Sequence, residues 1–136
     1  MLQVNYGLNQ PFCSAHTPSR QVSGTTVFVN GQWVKLVGGL AVLATAPADG
    51  QGAEQSFEPN NKNTAGILTT IEGIYEATTD QYVTASTYTD RCLLVVRNGL
   101  LDVASLASGS IEASQAVAMA IGVPANGTIR YKRINL

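Results

Sequence analysis

The sequence predicts an all-β fold: a small antiparallel sandwich or barrel of the jelly-roll or β-tulip kind, with an irregular N-terminal arm. The main observation is three Asn-Gly pairs, Asn30-Gly31, Asn98-Gly99 and Asn126-Gly127, each set against segments in which apolar residues alternate. Asn followed by Gly tolerates the positive φ that both central residues of a type I′ turn require, so the pair is a strong hairpin signal. In addition, no segment requires a helix, which makes a sandwich or a small barrel the simplest architecture.

The N-terminal arm is predicted over residues 1–24, where apolar residues show no period and prolines and glycines interrupt the segment. The remainder, residues 25–136, is expected to form a single β domain, because 136 residues is an ordinary size for one domain. The arm either folds back on this domain or docks on a neighbouring molecule, and the sequence leaves both open.

The first predicted hairpin spans residues 25–37 around Asn30-Gly31, and residues 40–44 extend a strand after a bulge or bend at Gly38-Gly39. A long loop is predicted at 45–66, where the composition shifts to small, polar and turn-forming residues. Loops of this length are generally functional or disordered, so this one is a candidate contact element.

The next predicted strand covers residues 67–77 with an interruption at Gly73, and the second hairpin covers 92–104 around Asn98-Gly99. Tyr82 and Tyr88, between these elements, suit half-buried positions in or beside strands.

Residues 115–123 favour a strand because apolar and small residues alternate there, although the Ala, Glu, Gln and Met content of this region also permits a helix. Residues 128–135 close the domain as a strand. Alternation places Ile129, Tyr131 and Arg133 on one face of it, and Arg130, Lys132 and Ile134 on the other.

The composition favours a surface that contacts other protein. Charged residues make up 12% of the chain, about half the ordinary share, and the net charge is −1. Such a chain has no field to attract nucleic acid or an anionic membrane, and no apolar run is long enough to span a bilayer. The start lacks the features of a signal peptide, so we expect synthesis in the cytoplasm. The two cysteines, Cys13 and Cys92, are expected to be reduced and mostly buried.

The search for catalytic and metal-binding patterns favours a protein that is not an enzyme. Cys13 and His16 lie three residues apart, but a nucleophile and its base also need an orienting group and a cleft. The closest carboxylates, Glu72/Glu76 and Asp80/Asp90, have no supporting ligand set. No phosphate-binding loop or zinc spacing is present. We therefore predict no catalytic residue, no cofactor and no metal.

Arg130, Lys132 and Arg133 form the one basic cluster, with Tyr131 among them. A basic strand with an aromatic residue is compatible with stacking on nucleic acid. The near-zero net charge favours instead a solvated strand face or the rim of a protein interface.

Three segments of the C-terminal half form a recognisable pattern. Residues 88–104 read Tyr-Thr-Asp-Arg-Cys-Leu-Leu-Val-Val-Arg-Asn-Gly-Leu-Leu-Asp-Val-Ala, residues 116–123 read Ala-Val-Ala-Met-Ala-Ile-Gly-Val, and residues 125–136 begin Ala-Asn-Gly-Thr-Ile-Arg. Over about residues 75–136 the chain resembles the small head decoration, or cement, proteins of tailed bacteriophages. It departs from them at Thr89-Asp90-Arg91, where such proteins often have Gly before the Asp.

The resemblance implies a structural virion protein, made in the host cytoplasm, that binds the outside of the phage capsid. Its partner would be the major capsid protein, whose subunit contacts it would stabilise, and it would form a homo-oligomer, either a trimer or a dimer. Neither nucleic acid nor membrane would be a partner. The alternatives are another virion or tail component, a glycan-binding β module that uses an exposed Tyr or Trp33, and a small β-fold hydrolase.

The expected capsid contacts are the arm and the 45–66 loop. Tyr6, Leu8 and Phe12 are the expected apolar anchors, because buried apolar and aromatic side chains dominate most interfaces. Arg130, Lys132 and Arg133 are the expected polar contacts.

Overall fold

The computed structural model describes residues 2–6, 15–24, 27–57 and 66–134, and of Asn5 and Tyr6 only the backbone. Within these residues the all-β prediction is confirmed, since the chain forms strands and two short 3₁₀ helices and no α-helix. The strands are Leu2–Tyr6 (β1), Ser19–Val22 (β2), Trp33–Val37 (β3), Leu40–Leu43 (β4), Glu54–Ser56 (β5), Ile67–Ile71 (β6), Glu76–Thr79 (β7), Leu93–Arg97 (β8), Leu100–Val103 (β9), Ala118–Ala120 (β10) and Ile129–Arg133 (β11). The 3₁₀ helices are Pro47–Gly50 and Glu112–Gln115.

Six strands form an antiparallel sheet in the order β1-β7-β11-β10-β8-β9. Alternation in β11 is as predicted: Ile129 and Tyr131 are fully buried, while Arg130 and Lys132 are exposed. The buried face carries half of the main hydrophobic core, and all six strands of the sheet contribute to it. Trp33 of β3 and Ile71 of β6 belong to the same core. Because strand residues alternate between faces, the opposite face of β11 remains open to solvent.

The other five strands close into a barrel in the order β2-β4-β3-β5-β6. β2 runs parallel to β4 and antiparallel to β6, which closes the barrel between the two. A second, smaller core fills the barrel, built from the buried side chains of Val22, Phe28, Val34, Ala41 and Leu68.

The N-terminal 24 residues contribute a strand to each of these two units. β1 pairs with β7 at the edge of the sheet, and β2 is part of the barrel. The described parts of the predicted arm are therefore held by the domain's own strands, which is the first of the two alternatives for the arm. Within the predicted 45–66 loop, the first 3₁₀ helix and β5 are regular structure, and residues 58–65 lie outside the described residues.

The second and third Asn-Gly pairs adopt the predicted left-handed backbone at both positions. Asn98 and Gly99 have φ of 51° and 77°, and Asn126 and Gly127 have φ of 54° and 74°. Asn98-Gly99 joins β8 to β9 as a two-residue hairpin turn, so the second predicted hairpin is confirmed.

The first Asn-Gly pair forms a different turn from the one predicted. Gly31 has φ of 100°, but Asn30 is not in the left-handed region, and residues 27–29 are not a strand. The hairpin of this region lies at the next turn along the chain, where Gly38-Gly39 joins β3 to β4 with φ of 58° and 81°. Two glycines also supply the positive φ that both central residues of a type I′ turn require.

The region that could be either helix or strand contains both kinds of structure. Residues 112–115 form the second 3₁₀ helix, and β10 follows at 118–120. β10 pairs with β8 and β11, which confirms the strand at the centre of the predicted 115–123 segment.

The tip of the β8–β9 hairpin connects the sheet to the barrel through backbone hydrogen bonds. The Gly99 N–H donates to the Ala44 carbonyl at 2.7 Å, the Asn98 N–H donates to the Thr45 carbonyl at 2.8 Å, and the Gly99 carbonyl accepts from the Trp33 N–H at 2.9 Å. A Cβ atom on Gly99 would lie 2.5 Å from Cδ1 of Leu43. A side chain at this position would therefore require Leu43 to shift, in addition to the strain of a φ of 77°.

Gln55 of β5 connects the two units through side chains. It is fully buried, its amide N–H donates to the Gly31 carbonyl at 2.8 Å, and its side-chain oxygen accepts from the Tyr75 hydroxyl at 2.8 Å and from the Tyr131 hydroxyl. Burial raises the pKa of both tyrosines above their ordinary value, so both hydroxyls stay protonated and can donate.

The first 3₁₀ helix is held to β3 by Asp49. Its carboxylate accepts from the Lys35 ammonium at 2.9 Å and from the N–H groups of Thr45 and Ala46 at 3.0 and 3.1 Å. The hydrogen bond from Lys35 is the largest of these influences, and together they lower the pKa of Asp49 to about 2.

We predict that Gly99→Ala lowers the free energy of unfolding by about 3 kcal/mol, since it adds a clash with Leu43 to the strain of a left-handed non-glycine residue. Gly127→Ala is the matched control, because Gly127 has nearly the same φ but nothing within 4 Å of its added Cβ. It should cost about 1 kcal/mol. Urea titrations of both variants measure the difference, and equal losses would contradict the fit of the turn against the barrel.

We also predict that Asp49→Asn lowers the free energy of unfolding at pH 7 by about 1 to 2 kcal/mol, a figure reduced for the partial solvent exposure of the carboxylate. The pKa of Asp49 is lower in the folded than in the unfolded chain, so the stabilisation is complete above about pH 4. It is lost as the pH falls towards about 2.

Urea titrations of both proteins between about pH 2 and 7 test this, and the gap between wild type and Asp49→Asn should close at the acidic end. Lys35→Met, which keeps the two backbone donors, should lose only part of the stabilisation. A gap that stays constant down to about pH 2 would contradict the role of the carboxylate charge.

Candidate interaction surfaces

The three predicted basic contacts on β11 divide between the two faces of the strand. Arg130 and Lys132 lie on the exposed face of the sheet, whereas Arg133 points inward. Arg130 pairs with Glu76 at 3.1 Å across the neighbouring strand, with both side chains accessible to solvent. The Lys132 side chain makes no hydrogen bond or ion pair with any residue that the structure describes. The exposed face therefore presents one paired and one unpaired cation.

The Arg133 guanidinium binds backbone carbonyls within its own chain. It donates to the Val117 and Ile134 carbonyls at 2.8 Å each and to the Ala53 carbonyl at 3.0 Å, and it stacks over the Trp33 ring at 5.1 Å from the ring centroid. Burial lowers the pKa of Arg133 below its ordinary value. These contacts leave Arg133 little to offer a partner, and its main effect is to join β11 to the loop before β5.

The predicted apolar anchors lie outside the part of the chain whose side chains are described. β1 pairs its backbone with β7 as far as Tyr6, whose side chain is not described, and Leu8 and Phe12 lie in the undescribed segment 7–14. Contact of these three residues with a partner remains a prediction.

A row of four exposed side chains, three of them apolar, crosses the outer wall of the barrel. Val37 of β3 is in register with Leu40 of β4, Leu40 with Gln21 of β2, and Gln21 with Ile67 of β6. Residues in register on neighbouring strands point to the same face. The three apolar side chains are 55%, 36% and 60% exposed in that order. We call Val37, Leu40, Gln21 and Ile67 the apolar row.

The neighbouring residues on three of the four strands show that this row faces outward. Val22, Ala41 and Leu68, each next in sequence to a member of the row, are buried inside the barrel. The row thus lies on the solvent side of a wall whose other side is packed. Sequence reasoning missed it, because Val37 and Leu40 flank a turn and strand register alone aligns them with Ile67.

Four ionisable residues, Arg20, Glu54, Glu72 and His16, gather at one end of the barrel. The buried Glu54 carboxylate accepts from Arg20 Nε at 2.9 Å and Arg20 Nη2 at 2.5 Å, and from the Thr70 hydroxyl at 2.6 Å. Burial opposes ionisation of Glu54, but these donors outweigh it and hold its pKa below the ordinary value. The interaction with Glu54 raises the pKa of Glu72, and burial acts in the same direction. His16 pairs with Glu72 on the outer side of the cluster.

This carboxyl pair differs from the pairs named on sequence, which combined Glu72 with Glu76 and Asp80 with Asp90. The buried Glu54 carboxylate is bound by Arg20 and Thr70, and Glu72 is paired with Arg20 and His16, so both carboxyl groups have partners inside the cluster. The cluster joins the segment before β2 to β5 and β6. His16 also exchanges two backbone hydrogen bonds of 3.1 Å with Glu72, which reinforces this connection.

Cys13 lies outside the described residues, so its distance from His16 is not defined. Cys92 is half-buried and packs against the main core, as expected for a small apolar residue. Among the described residues there is no group of three or more His, Cys, Asp or Glu side chains placed to hold a metal ion. In the same part of the chain, no helix is long and apolar enough to cross a membrane.

Comparison with known proteins identified no relative. No protein-family model matches the chain, and neither a curated protein nor a solved structure matches it.

Proposed function

We propose that this chain is a structural protein of a tailed-bacteriophage head, which binds the outer surface of the capsid and stabilises contacts between major capsid subunits. Two lines of reasoning support the proposal. One is the resemblance of residues 75–136 to head decoration proteins, a segment that contains five of the six strands of the sheet. The other is the apolar row on the barrel, which offers a protein partner a place to bind.

The apolar row is the observation that carries the proposal. Four strands spaced about 4.8 Å apart place it across roughly 14 Å of surface, the scale of an interface centre rather than of a single side chain. Isolated apolar residues are common on protein surfaces, but here Val37 and Leu40 are adjacent on neighbouring strands, and Ile67 lies in the same row beyond the exposed Gln21. Covering such a patch with a partner removes apolar area from water and favours binding.

The row is also rigid, which suits a protein that must hold two subunits in fixed positions. Its members lie on strands closed into a barrel, so little conformational entropy is lost when a partner binds. In a capsid, many copies of a modest interface act together, and each one stabilises only the assembled shell to which it binds. The low share of charged residues agrees with a surface that is partly covered in use.

The glycan-binding alternative requires an exposed aromatic platform, and the described residues do not provide one. Every aromatic side chain that the structure describes is buried. They are Phe28, Trp33, Phe57, Tyr75, Tyr82, Tyr88 and Tyr131. The alternative of another virion or tail component uses the same kind of surface, and the binding partner distinguishes it from capsid decoration.

The test is binding to expanded empty capsids assembled from the major capsid protein of the same phage. The triple variant V37T, L40T and I67T replaces the three apolar members of the row by threonine. Threonine is β-branched and suits a strand, but it removes most of the apolar contact. We predict about a 100-fold loss of affinity in a sedimentation assay, from about 1 kcal/mol per side chain. Stability should change little, because the substituted side chains are exposed.

The matched control is the triple variant L106T, I111T and V123T, whose side chains are 82%, 67% and 60% exposed and lie outside the row. It should bind capsids as tightly as the wild type. If the wild type does not bind capsids, the proposed function is wrong. If the row variant binds as tightly as the wild type, the row is not the binding surface.

A further inference from the structure

A second surface lies on the exposed face of the sheet, around a cleft of about 360 Å³ beside β10 and β11. Met119 of β10 is in register with Lys132 of β11, so both side chains point to this face. The turn at residues 89–92 closes one side of the cleft, because the Arg91 N–H donates to the Ala120 carbonyl at 3.0 Å. We call Arg91, Met119, Ile121 and Lys132 the basic cleft.

Both carboxylates of this cleft accept a hydrogen bond within the chain, although only Glu76 is paired with a cation, whereas the side chains of Arg91 and Lys132 have no such partner. The Glu76 carboxylate pairs with Arg130 at 3.1 Å, and the Asp90 carboxylate accepts from the Gly122 N–H at 2.7 Å. The side chains of Arg91 and Lys132 make no hydrogen bond or ion pair with any described residue. Two unpaired cations therefore border the same concave surface.

Arg91 occupies a backbone position that favours glycine. Its φ is 65°, in the left-handed region, which is strained for a residue with a Cβ atom. The Cys92 N–H donates to the Thr89 carbonyl at 3.2 Å and closes the turn around it. Glycine would relieve the strain without loss of any described contact of the Arg91 side chain. The folded chain on its own therefore gains nothing visible from an arginine here, and a ligand outside the chain would explain it.

The two unpaired cations lie beside an apolar floor in the same cleft. Met119 and Ile121 are half-buried between the two cations. Methionine adapts its shape to a partner side chain, and an arginine guanidinium binds a carboxylate through two parallel hydrogen bonds. The matching ligand carries a carboxylate next to an apolar group.

We propose that the basic cleft binds an acidic segment of the partner protein. An Asp or Glu carboxylate of that segment lies between Arg91 and Lys132, and an adjacent apolar side chain packs on Met119 and Ile121. The partner is the major capsid protein, and in this respect the inference rests on the proposed function. What the inference adds is a second contact, which is electrostatic and separate from the apolar row.

The test uses a substitution that separates stability from binding. Arg91→Gly removes the cation and also relieves the strained backbone, so its Tm should equal or exceed that of the wild type. Its affinity for expanded capsids should nevertheless fall about tenfold, and that of R91G/K132Q about 100-fold. A residue with a purely structural role would not lower binding while leaving stability intact or improved.

Salt dependence provides a second readout. Raising the ionic strength from about 0.05 M to about 0.5 M should weaken capsid binding of the wild type more than that of R91G/K132Q, because screening acts on the contact that the variant lacks. Asn126→Gly is the control, since Asn126 has φ of 54° at an exposed turn that is not part of the basic cleft. It should keep both the wild-type affinity and the wild-type salt dependence.

Each remaining outcome bears on one of the two proposals. Equal affinity of the wild type and R91G/K132Q at both ionic strengths overturns the basic cleft and leaves attachment through the apolar row in place. Loss of duplex-DNA binding in R91G/K132Q with capsid binding unchanged assigns the cleft to phosphate, and also overturns it. A wild type that does not bind capsids overturns the proposed function as well.

Discussion

The structure depends on one buried side chain, the amide of Gln55. A buried amide is costly unless its polar atoms are bonded, and here it bonds to the turn at Gly31 and to the hydroxyls of Tyr75 and Tyr131. β5 belongs to the barrel, whereas Tyr131 is on the central β11 of the sheet. Two units with separate sheets are thereby joined at a point where each hydrogen-bonding group would otherwise be buried without a partner. Together with the tip of the β8–β9 hairpin, this contact makes the barrel and the sheet mutually dependent.

The polar and charged side chains fall into two sets: those that are bonded within the chain and stabilise the fold, and those that are exposed and can bind a partner. Arg133, Glu54 and Arg20 are charged, yet each is bound within the chain. The surface keeps the apolar row on the barrel and the basic cleft on the sheet, one offering apolar area and the other charge. Two contacts of different chemistry on one rigid body would set both the position and the orientation of a bound subunit. This is the property that a capsid-stabilising protein requires.

The sequence allowed prediction of what depends on local patterns. Alternation in β11 and the left-handed turn at Asn98-Gly99 follow from the residues present, because side-chain period and turn chemistry are local. The closed barrel could not be predicted in this way, because the parallel pairing of β2 with β4 brings together residues that no short-range pattern relates. The same limit applies to the sites. Alternation along β11 predicts that Arg133 and Lys132 lie on opposite faces, but only the packed structure shows that the Arg133 guanidinium is bonded to carbonyls of its own chain. The apolar row required strand register, and the strain at Arg91 required the backbone angle.

The central claim is that barrel and sheet form one rigid unit, and native-state hydrogen exchange tests it most directly. Under conditions where exchange reports opening free energies, amides in the barrel strands β3 and β6 should exchange with the same free energy as amides in the sheet strands β8 and β11. That value should equal the free energy of global unfolding, because neither unit opens while Gln55 holds both. Barrel amides that exchange through an opening about 2 kcal/mol or more below the global value would show that the two units unfold separately, and would contradict the claim.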